Sequence, residues 1–251
     1  DSTPKISPNG KLLAFVRSKQ ISDNNKTKSI FIKDLSENKE FQLTDNLKSI
    51  QSADDNSGAF NWDNSSSKIV YTYRLAESND VTPEPLVVNR IRYRNDVIGW
   101  VGDIFNQIEL IDISTKSIIS VPNKESDDTH PVFSNDNKLV AFISDEGDER
   151  DTNWTQTIQI FNIDSRSRTK VTKKFGGLFS LTWADDDTKL LVIGTSDTKY
   201  GERRNSSLYS INLNDSKTIN LNKHEVAFNP QSNLIYSSPF TVSYTSKGVS
   251  F

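Results

Sequence analysis

The chain has 251 residues, of which 34% are hydrophobic and 25% charged, and it contains no cysteine. Its 30 basic and 33 acidic side chains are spread along the whole length and give a formal net charge of −3, so there is no basic stripe to neutralise nucleic-acid phosphates. No apolar run approaches the ~18 residues of a membrane-spanning helix. We therefore expect no nucleic-acid or membrane partner, and the absence of thiols favours a cytoplasmic location.

The first predicted elements form a unit of one turn and three strands. A turn at residues 7–10 leads into an apolar run at 12–16, an alternating segment at 30–35 and a short strand at 41–44. Asn and Gly in the turn tolerate the positive φ of a tight hairpin. The run is apolar on both faces, which is typical of a strand between two other layers, and the alternating segment predicts a half-buried strand.

The same unit recurs along the chain. From the turn lysine to the polar residue of the alternating strand the distance is about 23 or 24 residues in three copies. These pairs are Lys11 and Asp34, Lys138 and Asn162, and Lys189 and Asn212. A repeat of this length is of the propeller type, in which four-stranded antiparallel sheets stack around an axis because none can bury its faces alone.

We therefore predict an all-β fold, a β-propeller of four-stranded antiparallel blades with about four and a half blades present. The blades are expected at residues 4–45, 58–122, 130–173 and 180–222, with a partial fifth at 224–251. A helical repeat is the competing interpretation. The apolar residues recur at period 2 over four to six positions, whereas a helix needs period 3.6 over ten or more, so the strand interpretation is favoured.

The second copy carries an insertion, since its two halves lie some 20 residues further apart than in the other copies. The insertion covers residues 75–105, and we expect it to project from the blade toward the axis or toward a partner domain. It combines apolar side chains with three arginines, a composition that suits a contact surface.

The arginines of the insertion alternate, so on a strand they would lie on one face. One interpretation is an internal ion-pair network with Asp96 and Asp103. The other is that they contact peptide carboxylates or a partner domain, because guanidinium groups suit carboxylates. The candidate substrate or domain contacts are Arg90, Arg92, Arg94, Tyr93 and Trp100.

Two stretches resemble known blades. Residues 7–15, with 30–35 and 43–44, resemble the Ser-Pro-Asp-Gly-Lys…Ile-Ala-Phe signature of the prolyl oligopeptidase superfamily, the tricorn protease and TolB-type propellers. Residues 89–100 resemble the Arg-Tyr-Arg-x-Asp-Gly-x-Gly-Tyr/Trp stretch of acylaminoacyl peptidase propellers, with Val97 where that pattern has Gly.

The resemblance implies the N-terminal propeller, seven-bladed when complete, of a prolyl oligopeptidase family serine peptidase. In that family a C-terminal α/β-hydrolase domain carries a Ser-Asp-His triad, and the propeller controls which peptides reach it. The expected partners are thus that domain, in the same polypeptide, and peptide substrates. This chain has no G-x-S-x-G nucleophile elbow, so we expect no catalytic residue, metal or cofactor in it. The alternative is a stand-alone TolB-like propeller that acts as a protein-binding scaffold.

Three other polar groups favour structural interpretations. His130 is expected at the start of an innermost strand, where a structural or channel-lining role suits it, since the chain offers no serine on a strand-to-helix turn. The acidic stretch at 145–151 lacks the spacing of an EF-hand and predicts a solvated loop. The aspartates at 185–187 occupy a hairpin turn, where their own backbone preferences favour them.

Overall fold

Four antiparallel sheets follow one another along the chain in the computed structural model. It describes residues 1–22, 25–45, 48–50, 59–75, 87–88, 91, 93–95, 99–100, 105–123, 125–146, 151–152, 155–201, 204–222, 243–245 and 248–250. Within these ranges there is no α-helix, and hence no helix long and apolar enough to cross a membrane. The predicted all-β fold of four-stranded antiparallel blades is confirmed.

Blades 1, 3 and 4 are meanders in which strands that follow one another in sequence lie side by side, and blade 2 keeps this order with a divided first strand. Blade 1 consists of β1 (Ser2–Ile6), β2 (Leu12–Ser22), β3 (Asn25–Asp34) and β4 (Glu40–Gln42). Blade 2 consists of β5 (Lys48–Ile50), β6 (Phe60–Trp62), β7 (Lys68–Leu75), β10 (Gln107–Asp112) and β11 (Ile118–Ser120). A small hairpin, β8 (Arg94–Asn95) and β9 (Gly99–Trp100), lies between β7 and β10 in sequence.

The next two blades repeat the pattern without interruption. Blade 3 consists of β12 (Asp127–Phe133), β13 (Leu139–Asp145), β14 (Thr157–Asn162) and β15 (Arg168–Lys170). Blade 4 consists of β16 (Gly177–Trp183), β17 (Lys189–Thr195), β18 (Ser207–Asn212) and β19 (Thr218–Asn220). A last hairpin is formed by β20 (Ser243–Thr245) and β21 (Gly248–Ser250). The start of the predicted fifth copy, at residues 228–236, lies outside the described residues.

The innermost strand of blade 2 is divided into two pieces. β5 and β6 pair with the same edge of β7, β5 opposite its end and β6 opposite its beginning. The blade therefore keeps four strand positions although five strands contribute to it. The repeat pattern did not indicate β5, because Ile50 is the only apolar residue of that short strand.

Neighbouring sheets pack face to face, and the second strands of blades 2, 3 and 4 are buried on both sides. On β13, Val140 and Phe142 pack toward blade 2, whereas Ala141 and Ile143 pack toward blade 4. All four of these side chains are fully buried. The apolar run that the sequence repeats is therefore a strand between two layers, because alternate side chains point to opposite faces.

The turns between the first and second strands connect the blades at one end. The last turn residue has positive φ in all four blades: Gly10 (72°), Ser66 (61°), Asn137 (60°) and Asp187 (53°). In blades 2 to 4 the side chain of this residue accepts a hydrogen bond from the turn backbone of the preceding blade. The bonds join Asn9 N to Ser66 Oγ (3.1 Å), Asn64 N to Asn137 Oδ1 (2.9 Å) and Asn135 N to Asp187 Oδ1 (2.8 Å). We call these contacts the turn clamps.

Replacing Asp187 with Gly tests the strongest turn clamp. The carboxylate of Asp187 also accepts from the Asn135 amide group at 2.8 Å and from Asp136 N at 3.0 Å. Because Gly keeps the positive φ and removes only these acceptors, we expect the free energy of unfolding to fall by about 1–2 kcal/mol. Urea titration checks this.

Asp185→Ala is the matched control, since the Asp185 side chain lies exposed in the same turn. It should change the free energy of unfolding by less than about 0.5 kcal/mol. Equal losses in both variants would contradict a role for the clamp between blades.

Candidate functional site

The innermost strands bring three polar side chains together on the axial surface, which we define as Lys5, Asn61 and His130. Lys5 Nζ donates to the Phe60 carbonyl oxygen at 2.7 Å and to Asn61 Oδ1 at 2.8 Å. The Asn61 amide nitrogen donates to the Pro131 carbonyl oxygen at 2.8 Å. One polar chain thus joins the first strands of blades 1, 2 and 3.

His130 lies at an irregularity of β12, between the paired residues Thr129 and Val132. Its φ is 55°, and its Nδ1 lies 3.1 Å from Thr129 Oγ1. Thr3 occupies the matching irregularity of β1 and also has positive φ, 49°. A proline follows both residues, so the same local backbone recurs in blades 1 and 3. His130 is therefore part of the inner strand and not of the loop that leads to it.

Burial sets the charge of this surface. Burial among protein atoms, and secondly the positive charge of Lys5, lowers the pKa of His130 to about 4. Burial also lowers the pKa of Lys5 to about 8. At pH 7 the imidazole is neutral, and the ammonium group of Lys5 is mostly protonated and donates hydrogen bonds to blade 2, so the axial surface carries the single positive charge of Lys5.

Lys5 and Asn61 were not singled out from the sequence. The strand registers place Lys5, Asn61, Val132 and Thr182 at equivalent positions of the four blades. An alignment of the four repeats could have identified Lys5, because it is the one charged side chain at a position where the other blades have an apolar or neutral residue. Its partner lies 56 residues away in sequence, and no local pattern predicts that contact.

The blade 2 insertion leaves and rejoins its sheet at the boundary with blade 3. Arg74, near the end of β7, donates from Nε to Asn106 Oδ1 at 2.8 Å and pairs with Asp127 at 3.4 Å. The backbone nitrogen of Asn106, just before β10, donates to the same Asp127 carboxylate at 2.9 Å. Both ends of the insertion are therefore fixed to the first strand of blade 3.

The described part of the insertion presents apolar side chains to solvent. The exposed fractions are 74% for Val87, 47% for Val88, 68% for Ile91 and 43% for Tyr93. We call these four residues the insertion surface. The backbone nitrogen of Ile91 donates to Asp151 Oδ2 of blade 3 at 3.1 Å, which brings the insertion to the end of the acidic stretch at 145–151.

The predicted contact residues are placed only in part. Tyr93 belongs to the exposed insertion surface. The backbones of Arg94 and Trp100 pair directly in the hairpin of β8 and β9. Arg90 and Arg92 lie outside the described residues, as do their proposed partners Asp96 and Asp103. Whether the arginines form an internal network or contact a partner thus stays a prediction.

The acidic stretches behave as charge partners and turn residues where the structure describes them. Gln159 donates to Glu146 Oε2 at 2.8 Å, and Lys170 pairs with Glu146. In the turn of blade 4 the Asp186 carboxylate accepts a hydrogen bond from Thr188 N at 3.1 Å, and hydrogen bonds from the side chain and the backbone of Thr188 lower the pKa of Asp186. Residues 147–150 lie outside the described residues.

Four-stranded antiparallel blades, packed face to face behind an inner row of strands, define a β-propeller. Solved propellers of two kinds share this fold. Pyrococcus horikoshii acylaminoacyl peptidase matches with a TM-score of 0.62 and 15% identity, over 88% of this chain and 32% of that chain. TolB from Acinetobacter baumannii matches with a TM-score of 0.55 and 18% identity, over 91% of this chain and 46% of that chain.

The tricorn protease matches with a TM-score of 0.55 and 14% identity, over 89% of this chain and 22% of that chain. The resemblance to peptidase propellers inferred from the blade signature is therefore confirmed at the level of the fold. The chain spans less than half of the length of each of these three proteins. No family model matches the sequence, and no curated protein matches it.

Replacing His130 with Asn tests the electrostatics of the axial surface. The unfolded chain binds a proton at His130 near pH 6.5, whereas the folded protein does so only near pH 4, so stability is lost as the pH falls through this interval. Asn tolerates positive φ and does not titrate. Between pH 6.5 and 4 we expect the variant to lose about 2 kcal/mol less stability than the parent.

Denaturant titrations at several pH values measure this difference. Thr129→Ala, which keeps the imidazole, is the control and should retain the acid dependence of the parent. If the parent and His130→Asn lose stability in parallel, the imidazole is not buried in its neutral form.

Proposed function

We propose that this chain is the non-catalytic propeller domain of a serine peptidase, in which it docks on an α/β-hydrolase domain and controls access of peptides to the active site. The observation that carries the proposal is the insertion surface, which is apolar, exposed and fixed at both ends to the body of the propeller. Exposed apolar side chains on a segment that is attached at both ends to the folded domain are typical of a contact with another domain.

The partner that we propose is a hydrolase domain of the same polypeptide. The chain covers only about a third of an acylaminoacyl peptidase of the same propeller fold, which supports a larger protein with room for such a domain. The substrates that we propose are peptides, and the location is the cytoplasm, in keeping with the absence of cysteine.

The axial surface suits passage of peptides of varied sequence. Its histidine is neutral at pH 7, and its lysine is held by a carbonyl and an amide oxygen of blade 2. A surface whose single charge is part-buried and already hydrogen-bonded would discriminate only weakly between acidic and basic peptides. We therefore propose that selection depends on the size of the peptide and on the insertion surface more than on charge along the axis.

A stand-alone scaffold of the TolB type is the second candidate, since the TolB propeller has the same fold over 91% of this chain. A fluorophosphonate probe, which reacts with activated serines, separates the two functions in the full-length protein. Labelling of a serine outside the 251 residues supports the peptidase, and its absence in folded protein supports the scaffold.

The isolated chain should not hydrolyse acyl-peptide or aminoacyl chromogenic substrates, because its sequence contains no nucleophile elbow. A chromogenic assay compares it with the full-length protein at equal molar concentration. Turnover by the isolated chain that a serine-directed inhibitor abolishes would contradict the prediction.

Changing Arg90, Arg92 and Arg94 together to Ala in the full-length enzyme tests the contact role of the insertion. If they contact peptide or hydrolase domain, kcat/KM should fall about tenfold or more, since each lost charge-assisted hydrogen bond weakens binding. The melting temperature should change by less than about 2 °C.

The control removes three exposed lysines of blades 3 and 4, Lys173, Lys174 and Lys189, and so changes the net charge equally. It should leave kcat/KM unchanged. A lower melting temperature with normal activity of the remaining folded enzyme would instead establish the arginines as an internal ion-pair network.

A further inference from the structure

The connection between the second and third strands of blade 4 carries an exposed tyrosine next to two cations. β17 ends at Thr195 and β18 begins at Ser207. Between them, Lys199 Nζ lies 5.1 Å from the centre of the Tyr200 ring, and the guanidinium carbon of Arg204 lies 4.8 Å from it. Tyr200 is 47% exposed, and the side chain of Arg204 is 59% exposed. We call Lys199, Tyr200 and Arg204 the blade 4 platform.

One carboxylate holds the blade 4 platform in shape. Asp197 Oδ1 accepts hydrogen bonds from the backbone nitrogens of Lys199 at 2.9 Å and Tyr200 at 3.0 Å. Asp197 Oδ2 accepts a hydrogen bond from Arg204 Nε at 3.1 Å. The same side chain therefore fixes the backbone of the turn and orients the guanidinium. Because these groups are already ordered, little conformational freedom is lost when a partner binds them.

Two glycines place this turn against the start of the first strand of blade 4. A Cβ atom on Gly176 would lie 2.0 Å from the Asp197 carbonyl oxygen and 2.9 Å from Gly201 Cα, so a side chain at residue 176 would displace the turn. Gly201 has a positive φ of 57°, and its nitrogen donates to the same carbonyl oxygen at 2.9 Å. The base of the platform is therefore closely packed backbone, whereas its side chains are exposed.

The cations of the platform are only partly used within the protein. Among the described residues, no group accepts a hydrogen bond from the Lys199 ammonium or from the two terminal nitrogens of Arg204. Glu146, in the equivalent connection of blade 3, pairs with Lys170 of its own blade. Residues 196–204 include three basic and two acidic side chains, so the segment has an excess of one positive charge. The platform thus offers oriented donors to an anionic group.

We infer that the blade 4 platform binds an acidic segment of a partner protein, with a carboxylate paired to Arg204 and the partner chain packed on the Tyr200 ring. Tyrosine and arginine are enriched among the residues that dominate binding energy in protein interfaces, and a guanidinium presents parallel donors that match a carboxylate. Nucleic acid fits less well, because an excess of one charge does not neutralise a run of phosphates. The inference depends neither on the insertion surface of blade 2 nor on a hydrolase domain.

Fluorescence anisotropy with a rhodamine-labelled peptide that alternates Glu and Ala tests the inference on the full-length protein. The same peptide with Gln in place of Glu is the matched probe. We expect the Glu peptide to bind at least about tenfold more tightly than the Gln peptide, because both partners are charged only in the first complex. Equal affinities, or no binding of either peptide, would overturn the inference.

Tyr200→Ala and Arg204→Gln should each weaken binding of the Glu peptide at least about fivefold, since few side chains dominate such a surface. Neither change removes a backbone contact of the turn, so both variants should keep the melting temperature of the parent. Lys189→Gln removes one charge from the exposed start of β17, at the other end of that strand, and should change the affinity less than about twofold. An equal loss in Lys189→Gln would mean that the peptide responds to net charge alone, and would overturn the inference.

Asp197→Asn separates an oriented platform from a generally positive surface. The variant loses the ionic contact with Arg204, although its net charge becomes more positive. We expect binding of the Glu peptide to weaken at least about threefold, because the guanidinium is no longer held in place. Tighter binding would overturn the inference, and so would competition by an oligothymidylate at lower concentrations than by unlabelled Glu peptide. Lack of a hydrolase domain would refute the proposed function and leave these results unaffected.

Discussion

The burial of one strand on both of its faces is the constraint on which the whole structure depends. In blades 2 and 3 the second strand alternates between side chains packed toward the blade before it and side chains packed toward the blade after it. Each fully buried aliphatic or aromatic side chain contributes roughly 1.5–3 kcal/mol. A blade alone would expose both sets of side chains, so its stability comes from its neighbours and the fold exists only as a stack.

Apolar packing has no direction of its own, and polar contacts supply the orientation of one blade against the next. Trp62 Nε1 donates to the Lys5 carbonyl oxygen at 3.0 Å, and Trp183 Nε1 donates to that of Val132 at 3.2 Å. Both bonds reach from the end of one innermost strand to the innermost strand of the preceding blade. Together with the turn clamps they fix the rotation of each sheet, since a hydrogen bond loses strength within a few tenths of an ångström.

The sequence was informative where the signal is local and repeated. The apolar run at 139–143 and the alternating strand after it predict the blade, because period 2 and turn residues are properties of short segments. The role of Asp187 could not be predicted in the same way. Its turn was recognised, but its hydrogen-bond partner Asn135 lies 52 residues earlier, and only the packing of two blades brings them together.

The candidate site shows the same division. The insertion in blade 2 was predicted from spacing, and its exposed Tyr93 from composition. The attachment of the two ends of the insertion to Asp127 was not predicted, because Asp127 belongs to the next blade. Nothing in the sequence around Asp127 distinguishes it from an exposed acidic residue. Long-range polar contacts of this kind depend on the angle between sheets, which the amino-acid pattern of one strand does not encode.

The turn clamps and the insertion lie at opposite ends of the blades. In a meander, the turn between the first and second strands is at one end, and the connection between the second and third, which in blade 2 holds the insertion, is at the other. The insertion end is fastened as well, because Arg74 and Asn106 of blade 2 bond Asp127 of blade 3, and Gln156 pairs with Phe175 at the boundary of blades 3 and 4. The two sets of contacts lie about one strand length apart, and the seven residues of β13 span ~23 Å. A tilt between two of these blades would have to break the contacts at one end, so blades 2, 3 and 4 move as one body.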